Sequence, residues 1–182
     1  WSDGDDYPEM IARWYRERGY DFLSFSDHNI LATIEKWTDV DKNKGGRRAY
    51  DKLKQAFPSG WIEERTVDGK TEVRLKRFDE VVAKVGVPGE FLLIQGEEIT
   101  DRFKNLPVHM NATNVRELVP PLGGDSVYEV MQNNVNAVIA QRERTGQAMF
   151  PHLNHPNFGW GVTAEDLMRV HGENFFEVYN GH

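Results

Sequence analysis

The sequence predicts an α/β fold with largely parallel strands. Helix-like and strand-like segments alternate along most of the chain, the order that helix-connected parallel strands require. The strand-like runs are apolar within and polar near their ends, where sites gather in such folds. At 182 residues the chain can bury a full core. One domain over 1–182 is the expectation.

The elements follow in order. "PEMIARWYRERG", 8–19, reads as a helix, with Pro8 in its first turn, Ile11, Trp14 and Tyr15 as its apolar face, and Gly19 at its stop. "DFLSFSDHNIL", 21–31, opens as a strand in which Leu23 and Phe25 alternate with Ser24 and Ser26. "DVDKNKGGRR", 39–48, is polar and reads as an exposed loop. "WIEERTVDGKTEVRL", 61–75, reads as an inserted hairpin around Asp68-Gly69. "RFDEVVAKVG", 77–86, is helical, and "FLLIQGEEIT", 91–100, is a strand. A further strand-like piece is "LPVHMNATN", and "LVPPLGGD", 118–125, is a loop. The strongest helix is 126–146, where Ser126 and Glu129 form a capping-box pattern and Val127, Val130, Met131, Val135, Val138 and Ile139 recur at helical spacing. "QAMFPHLNHP" is the next strand, 163–172 a short helix capped by Thr163, and "FFEVYN" a last strand.

Composition narrows the chemistry. The net charge is −7, which gives no footprint for a nucleic-acid backbone. "KNKGGRR", 42–48, is the only local basic cluster, and a solvated loop is its simpler meaning. There is no cysteine, so thiolate nucleophiles, disulfides and zinc fingers are excluded, and any metal must be held by His, Asp or Glu. No apolar run of about 18 residues is present to span a membrane. No signal peptide is visible; no compartment is read from the sequence, with soluble and cytoplasmic as the default and a removed signal peptide left open. The chain opens on Trp1 and stops at His182, and it reads as a piece of a longer one.

Metal ligands stand along five strand-like runs. The first ends in Asp27-His28-Asn29 and the second in Glu97-Glu98; the third carries His109, the fourth His152, Asn154 and His155, and the fifth Glu177, Tyr179 and Asn180. Burying such groups unpaired costs roughly a few kcal/mol each. Alternation places Ser24, Ser26 and His28 on one face and Asp27 on the other, so His28 is the candidate ligand and Asp27 an outer partner. Glu97 and Glu98 point opposite ways, and spacing does not choose between them. His152 and His155 form an HxxH, but Pro151 and Pro156 forbid the helix that would put both on one face. Taken alone, Asp3-Gly4 is a turn, Asp5 and Asp6 are solvated, and His171 before Gly172 stabilises a helix end.

In their order, "SDG" (2–4), "PE" (8–9), "SDHN" (26–29), "GEEIT" (96–100), His109, "HPN" (155–157) and "EVYNG" (177–181) resemble the PHP (polymerase and histidinol phosphatase) superfamily. The resemblance covers nearly the whole chain. It implies a distorted seven-stranded, TIM-like β/α barrel, incomplete in this chain, with two or three divalent metal ions at its rim: zinc, manganese or iron, with magnesium as a further option. Carried over by position, it implies Asp3, His28, Glu98, His109 and His155 as metal ligands and Glu177 and Asn180 as residues that shape the site; Asp27, the outer partner from alternation, would orient His28. The H-x-H pair that opens the family's pattern and the Asp-x-His pair that closes it have no counterpart here.

The function implied is a metal-dependent phosphoesterase that hydrolyses a phosphate ester with metal-activated water. A small phosphorylated substrate fits the acidic chain better than a nucleic-acid end, the substrate of a PHP exonuclease. A non-catalytic PHP-like domain that binds metal or a partner is the alternative that the two missing pairs favour. An amide-cleaving metal-dependent barrel would need a carboxylated Lys or a different His order, and no strand ends in Lys.

Overall fold

The computed structural model describes residues 1–180. Their contacts divide the chain into two compact units: Trp1–Leu23 with Ala32–Leu93, and Ser24–Leu31 with the chain from Ile94 onward.

The first unit holds helices α1 (Pro8–Glu17), α2 (Gly46–Ala56) and α3 (Phe78–Val85) and strands β2 (Lys36–Asp39), β3 (Glu64–Val67) and β4 (Lys70–Leu75). Pro8 opens α1, and Glu9 is buried, its Oε1 accepting from Trp61 Nε1 at 2.9 Å. β4 is central in a three-stranded antiparallel sheet, and the turn at Asp68-Gly69 joins it to β3. Its inward residues Val73 and Leu75 are buried. Arg74, between them, forks to Glu63 and Glu80. These hydrogen bonds hold both carboxyls down at about 2 and tie the sheet to the first turn of α3.

The second unit is built on a four-stranded sheet in the order β1-β5-β6-β7, with β1 at Phe22–His28, β5 at Leu92–Phe103, β6 at Leu106–Thr113 and β7 at Phe150–Leu153. One face packs on α4 (Val127–Thr145). Ile99, Val108, Met110, Ala112 and Leu153 form a buried cluster with Val127, Val130, Met131, Val135 and Val138. Ser126 Oγ caps the helix at the Glu129 N–H, 3.1 Å away, and Gly146 ends it in the left-handed conformation at φ 66°. At Gly96 a Cβ would sit 2.9 Å from both the Phe25 and Ala112 carbonyl oxygens, so only glycine lets β5 lie this close to its neighbours.

The structure corrects several expectations. β5/β6, β6/β7, β2/β4 and β3/β4 are antiparallel, so the strands are not largely parallel. The β5–β6 hairpin turns through Lys104 and Asn105, with Lys104 at φ 55°, and neither residue is a glycine or proline that would have announced the turn. Among the described residues the strands form two sheets and no closed barrel. Residues 39–48 are not one loop, since β2 ends and α2 begins within them. The 163–172 helix shrinks to α5 (Ala164–Leu167), where Thr163 and Asp166 cap each other reciprocally. "FFEVYN" meets β7 through a single bridge, Leu153 to Phe176. Phe175, Phe176, Val178 and Tyr179 stay exposed, so nothing covers that segment as a strand would need. No described helix is long and apolar enough to cross a membrane.

On the core side of the sheet, fully buried Glu97 accepts the Val119 N–H at Oε1, 2.6 Å away, and its Oε2 has no partner among the described residues. Desolvation pushes its carboxyl up to about 7 from an ordinary 4.5, with the Val119 bond opposing. As pH rises through that window the unfolded chain sheds this proton first, so stability falls and the loss is complete above the folded value. Glu97→Gln keeps the acceptor and does not titrate. Its melting temperature relative to the parent is expected to rise between about pH 5 and pH 8; a constant difference in differential scanning fluorimetry would mean that Glu97 titrates normally.

Candidate metal centre

The opposite face of the four-stranded sheet is polar, and strand register builds it. Glu98 pairs with Asn111, Thr100 with His109, and Asn111 with His152. Alternation therefore puts Glu98, Thr100, His109, Asn111 and His152 on one side of the sheet. His155 follows β7 by two residues, and His28 ends β1.

Three of these side chains converge. Glu98 Oε1 lies 3.1 Å from His109 Nδ1 and 3.5 Å from His155 Nε2, and the two ring nitrogens are 3.0 Å apart. Each residue thus offers one donor atom to a common point. Ligands bound at 2.0–2.1 Å in a tetrahedral shell lie about 3.3 Å from one another, so the triangle has the dimensions of one face of such a shell. Glu98 Oε1 is buried and has no hydrogen-bond partner among the described residues. Burial pushes the Glu98 carboxyl up, but the adjacent His109 imidazole, the Asn154 amide and nearby His28 outweigh it and hold the group below its usual range. A buried, ionised carboxylate oxygen facing two imidazole nitrogens is a donor set that a divalent cation accepts.

Neighbouring groups orient the triangle. Glu177 Oε2 takes the His155 main-chain N–H at 2.7 Å and lies 3.1 Å from ring Nδ1. Asn180 Nδ2 also lies 3.2 Å from Nδ1; with the ring proton on Nδ1 toward the carboxylate, the Nε2 lone pair faces Glu98 and His109. The Glu177 contact also anchors the positive φ of His155, 23°, a conformation costly for a side-chain-bearing residue. Asn180 Nδ2 donates to Glu177 Oε1 at 3.1 Å. Asn111 Oδ1 accepts from Asn154 Nδ2 at 3.0 Å. Phe158 packs its ring near both histidines, with centroids 5.7 Å from His109 and 5.3 Å from His155.

The remaining candidates are placed as follows. His28 Nδ1 is 3.6 Å from Glu98 Oε2 and is paired with the Thr100 hydroxyl, so it stands beside the triangle. Asn29, at φ 49°, bridges the Thr100 main chain through both ends of its amide, donating to the carbonyl at 3.0 Å and accepting the N–H at 2.9 Å. Asp27 is half-buried in β1, one residue before His28 and so on the other strand face. Asp3 belongs to the first unit, where it is exposed and accepts the Ser2 hydroxyl at 3.1 Å. His152 is bonded to Asn111 Nδ2 through Nε2 at 3.2 Å, and burial lowers its pKa. Gly181, the last residue of the "EVYNG" run, lies outside the described residues. Sequence reading passed over Thr100 and Asn111, though each lies two residues from a named ligand, the spacing that puts strand residues on one face. Phe158 carried no such signal.

No family model matches the chain, and no curated protein does. Solved structures do. One is a two-domain protein from Bacteroides vulgatus containing a predicted PHP-like metal-dependent phosphoesterase, with TM-score 0.41, 20% identity, and coverage of 92% of this chain and 37% of that one. Another, from Bifidobacterium adolescentis, is described as a metal-dependent phosphoesterase, with TM-score 0.46, 12% identity, and coverage of 98% of this chain and 73% of that one. The chain therefore spans 37% of the first neighbour's length.

Outer partners that fix a ligating imidazole are worth 10–100-fold in metal affinity. Glu177→Gln is expected to weaken zinc binding by about that factor without loss of fold, as read by competition with a fluorescent chelator. Unchanged affinity would remove Glu177 from the site.

Proposed function

We propose that the chain carries the metal-binding part of a phosphoesterase acting on a small phosphate ester. The triangle of Glu98 Oε1, His109 Nδ1 and His155 Nε2 carries this reading. These three residues would hold a divalent cation, with His28 available beside them. When bound, such a cation neutralises charge on phosphoryl oxygens and lowers the pKa of water. Glu177 and Asn180 keep the His155 lone pair aimed inward, and buried Glu98 supplies the negative charge that draws the cation.

An adjoining recess of about 590 Å³ supports a small substrate over a polymer. His109, Thr100, Asn29, Asn105 and Arg102 line it. Register puts Arg102 on the same face as Glu98 and Thr100, opposite Pro107. Its exposed guanidinium has no ion-pair partner among the described residues, which suits it to a phosphate oxygen.

The test is turnover of a panel of small phosphate esters by the purified chain loaded with manganese, zinc or iron. Hydrolysis abolished by chelator and reduced at least about 100-fold in His109→Ala is expected. Metal bound at the triangle without turnover of any phosphate ester would replace this reading with that of a non-catalytic metal-binding domain. Activity retained in His109→Ala would remove the triangle from the chemistry.

A further inference from the structure

The basic run at 42–48 finds no place in the metal centre, and it lies in the first unit. There, Lys36, Lys42 and Lys44 all line a recess of about 220 Å³ whose floor includes buried Tyr7. We infer that this recess is a binding site for a phosphate-type oxyanion, held by Lys36, Lys42 and Lys44.

The charge balance around the recess supports this. The one carboxylate among the described residues that lines the recess already has partners. Asp6, which also lines it, takes Lys52 on one oxygen and the Tyr7 N–H on the other. Asp41 is held by both ends of Arg47, at 3.0 and 2.7 Å, and Asp39 Oδ1 accepts the Asp41 N–H at 2.9 Å. The lysines are not so compensated. Lys36 Nζ donates only to a neutral acceptor, the Trp1 carbonyl, at 2.5 Å. Lys42 and Lys44 have no ion-pair partner among the described residues. Three lysines on one recess, none bonded to a carboxylate among the described residues, favour a bound anion.

The loop that presents two of them is built, not slack. The Asn43 side chain, between Lys42 and Lys44, donates to the Val40 carbonyl at 3.0 Å and accepts the Gly46 N–H at 2.7 Å. Main-chain bonds from Lys42 and Asn43 to the Asp39 carbonyl, at 3.2 and 3.1 Å, close the turn. At Gly45 a Cβ would lie 2.0 Å from the Asp5 carbonyl oxygen, so a glycine lets the loop seat on the 1–8 segment. The backbone that carries Lys42 and Lys44 is therefore fixed beside the recess before a ligand arrives.

Size and charge select the ligand. The recess has room for a tetrahedral oxyanion and its waters. Ammonium groups bind phosphate as point charges. A free phosphate ion and the terminal phosphate of a monoester share this chemistry.

The test is isothermal titration of the chelator-treated protein with inorganic phosphate, and separately with glycerol phosphate, at fixed ionic strength. One phosphate per chain is expected, weakened at least about tenfold in Lys42→Gln/Lys44→Gln and again in Lys36→Gln. Circular dichroism checks that the variants fold. Binding of inorganic phosphate alone assigns the recess to the free ion; binding of both assigns it to the phosphate group of a larger ligand. Binding is expected to survive in Glu98→Gln, which keeps this inference separate from the metal centre. No saturable heat with either ligand, equal affinity in the lysine variants, or binding lost in Glu98→Gln would each overturn it.

Discussion

The register of the β5–β6 hairpin sets what each face of the second unit can do. With Thr100 opposite His109 and Glu98 opposite Asn111, every second residue on both strands faces the same way. Ile99, Val108, Met110 and Ala112 then fall together on the side buried with α4. A slip of one residue would bury the histidine and the carboxylate under that helix and expose the aliphatic residues. Burying an aliphatic side chain of this size contributes about 1.5–3 kcal/mol. Several of them on one face outweigh the cost of gathering a carboxylate and two imidazoles on the other. The donor triangle is thus positioned by burial on the side of the sheet that it does not share.

Two adjacent glutamates show what separates a structural from a functional carboxylate. Both are buried, so burial alone does not distinguish them. Glu97 meets one N–H from the loop between β6 and α4, and desolvation pushes its carboxyl up to about 7. It works beside Gln141, which takes the Arg116 and Glu117 N–H groups, and Asn134, which takes that of Leu122. All three side chains, themselves buried, satisfy main-chain N–H groups of the one segment that links β6 to α4. Glu98 faces imidazoles instead, and they hold it ionised.

Much of this was legible in the sequence because it rests on local rules. The helix at 126–146 announced itself by its cap, its periodicity and its terminal glycine. Period-two alternation put Glu97 and Glu98 on opposite faces, and it put Ser24, Ser26 and His28 together. What failed rests on long-range or unmarked features. The Lys104-Asn105 turn carries no glycine or proline, so β6 read as another parallel strand and the two sheets as a barrel. α2 begins inside a polar stretch, and its buried Ala49, Tyr50 and Leu53 give too short an apolar stripe to stand out. "FFEVYN" has strand composition, but pairing depends on a neighbour, and only Leu153 supplies one. The choice between His152 and His155 depended on Glu177, whose contact with His155 spans 22 positions.

The dimensions of the triangle also separate the need for a cation from the need for a proton. Its three edges are 3.0, 3.1 and 3.5 Å. With the His155 ring proton on Nδ1 toward Glu177, Nε2 enters the triangle as a lone pair. Glu98 Oε1, ionised, brings only acceptor capacity. A proton on His109 Nδ1 lies along one edge at a time and leaves the other acceptor unserved. A divalent cation would take a lone pair from all three atoms at once. For that reason the arrangement is better matched to a metal ion than to a hydrogen-bonded cluster, and the neighbouring asparagines and Glu177 read as the frame that keeps its lone pairs convergent.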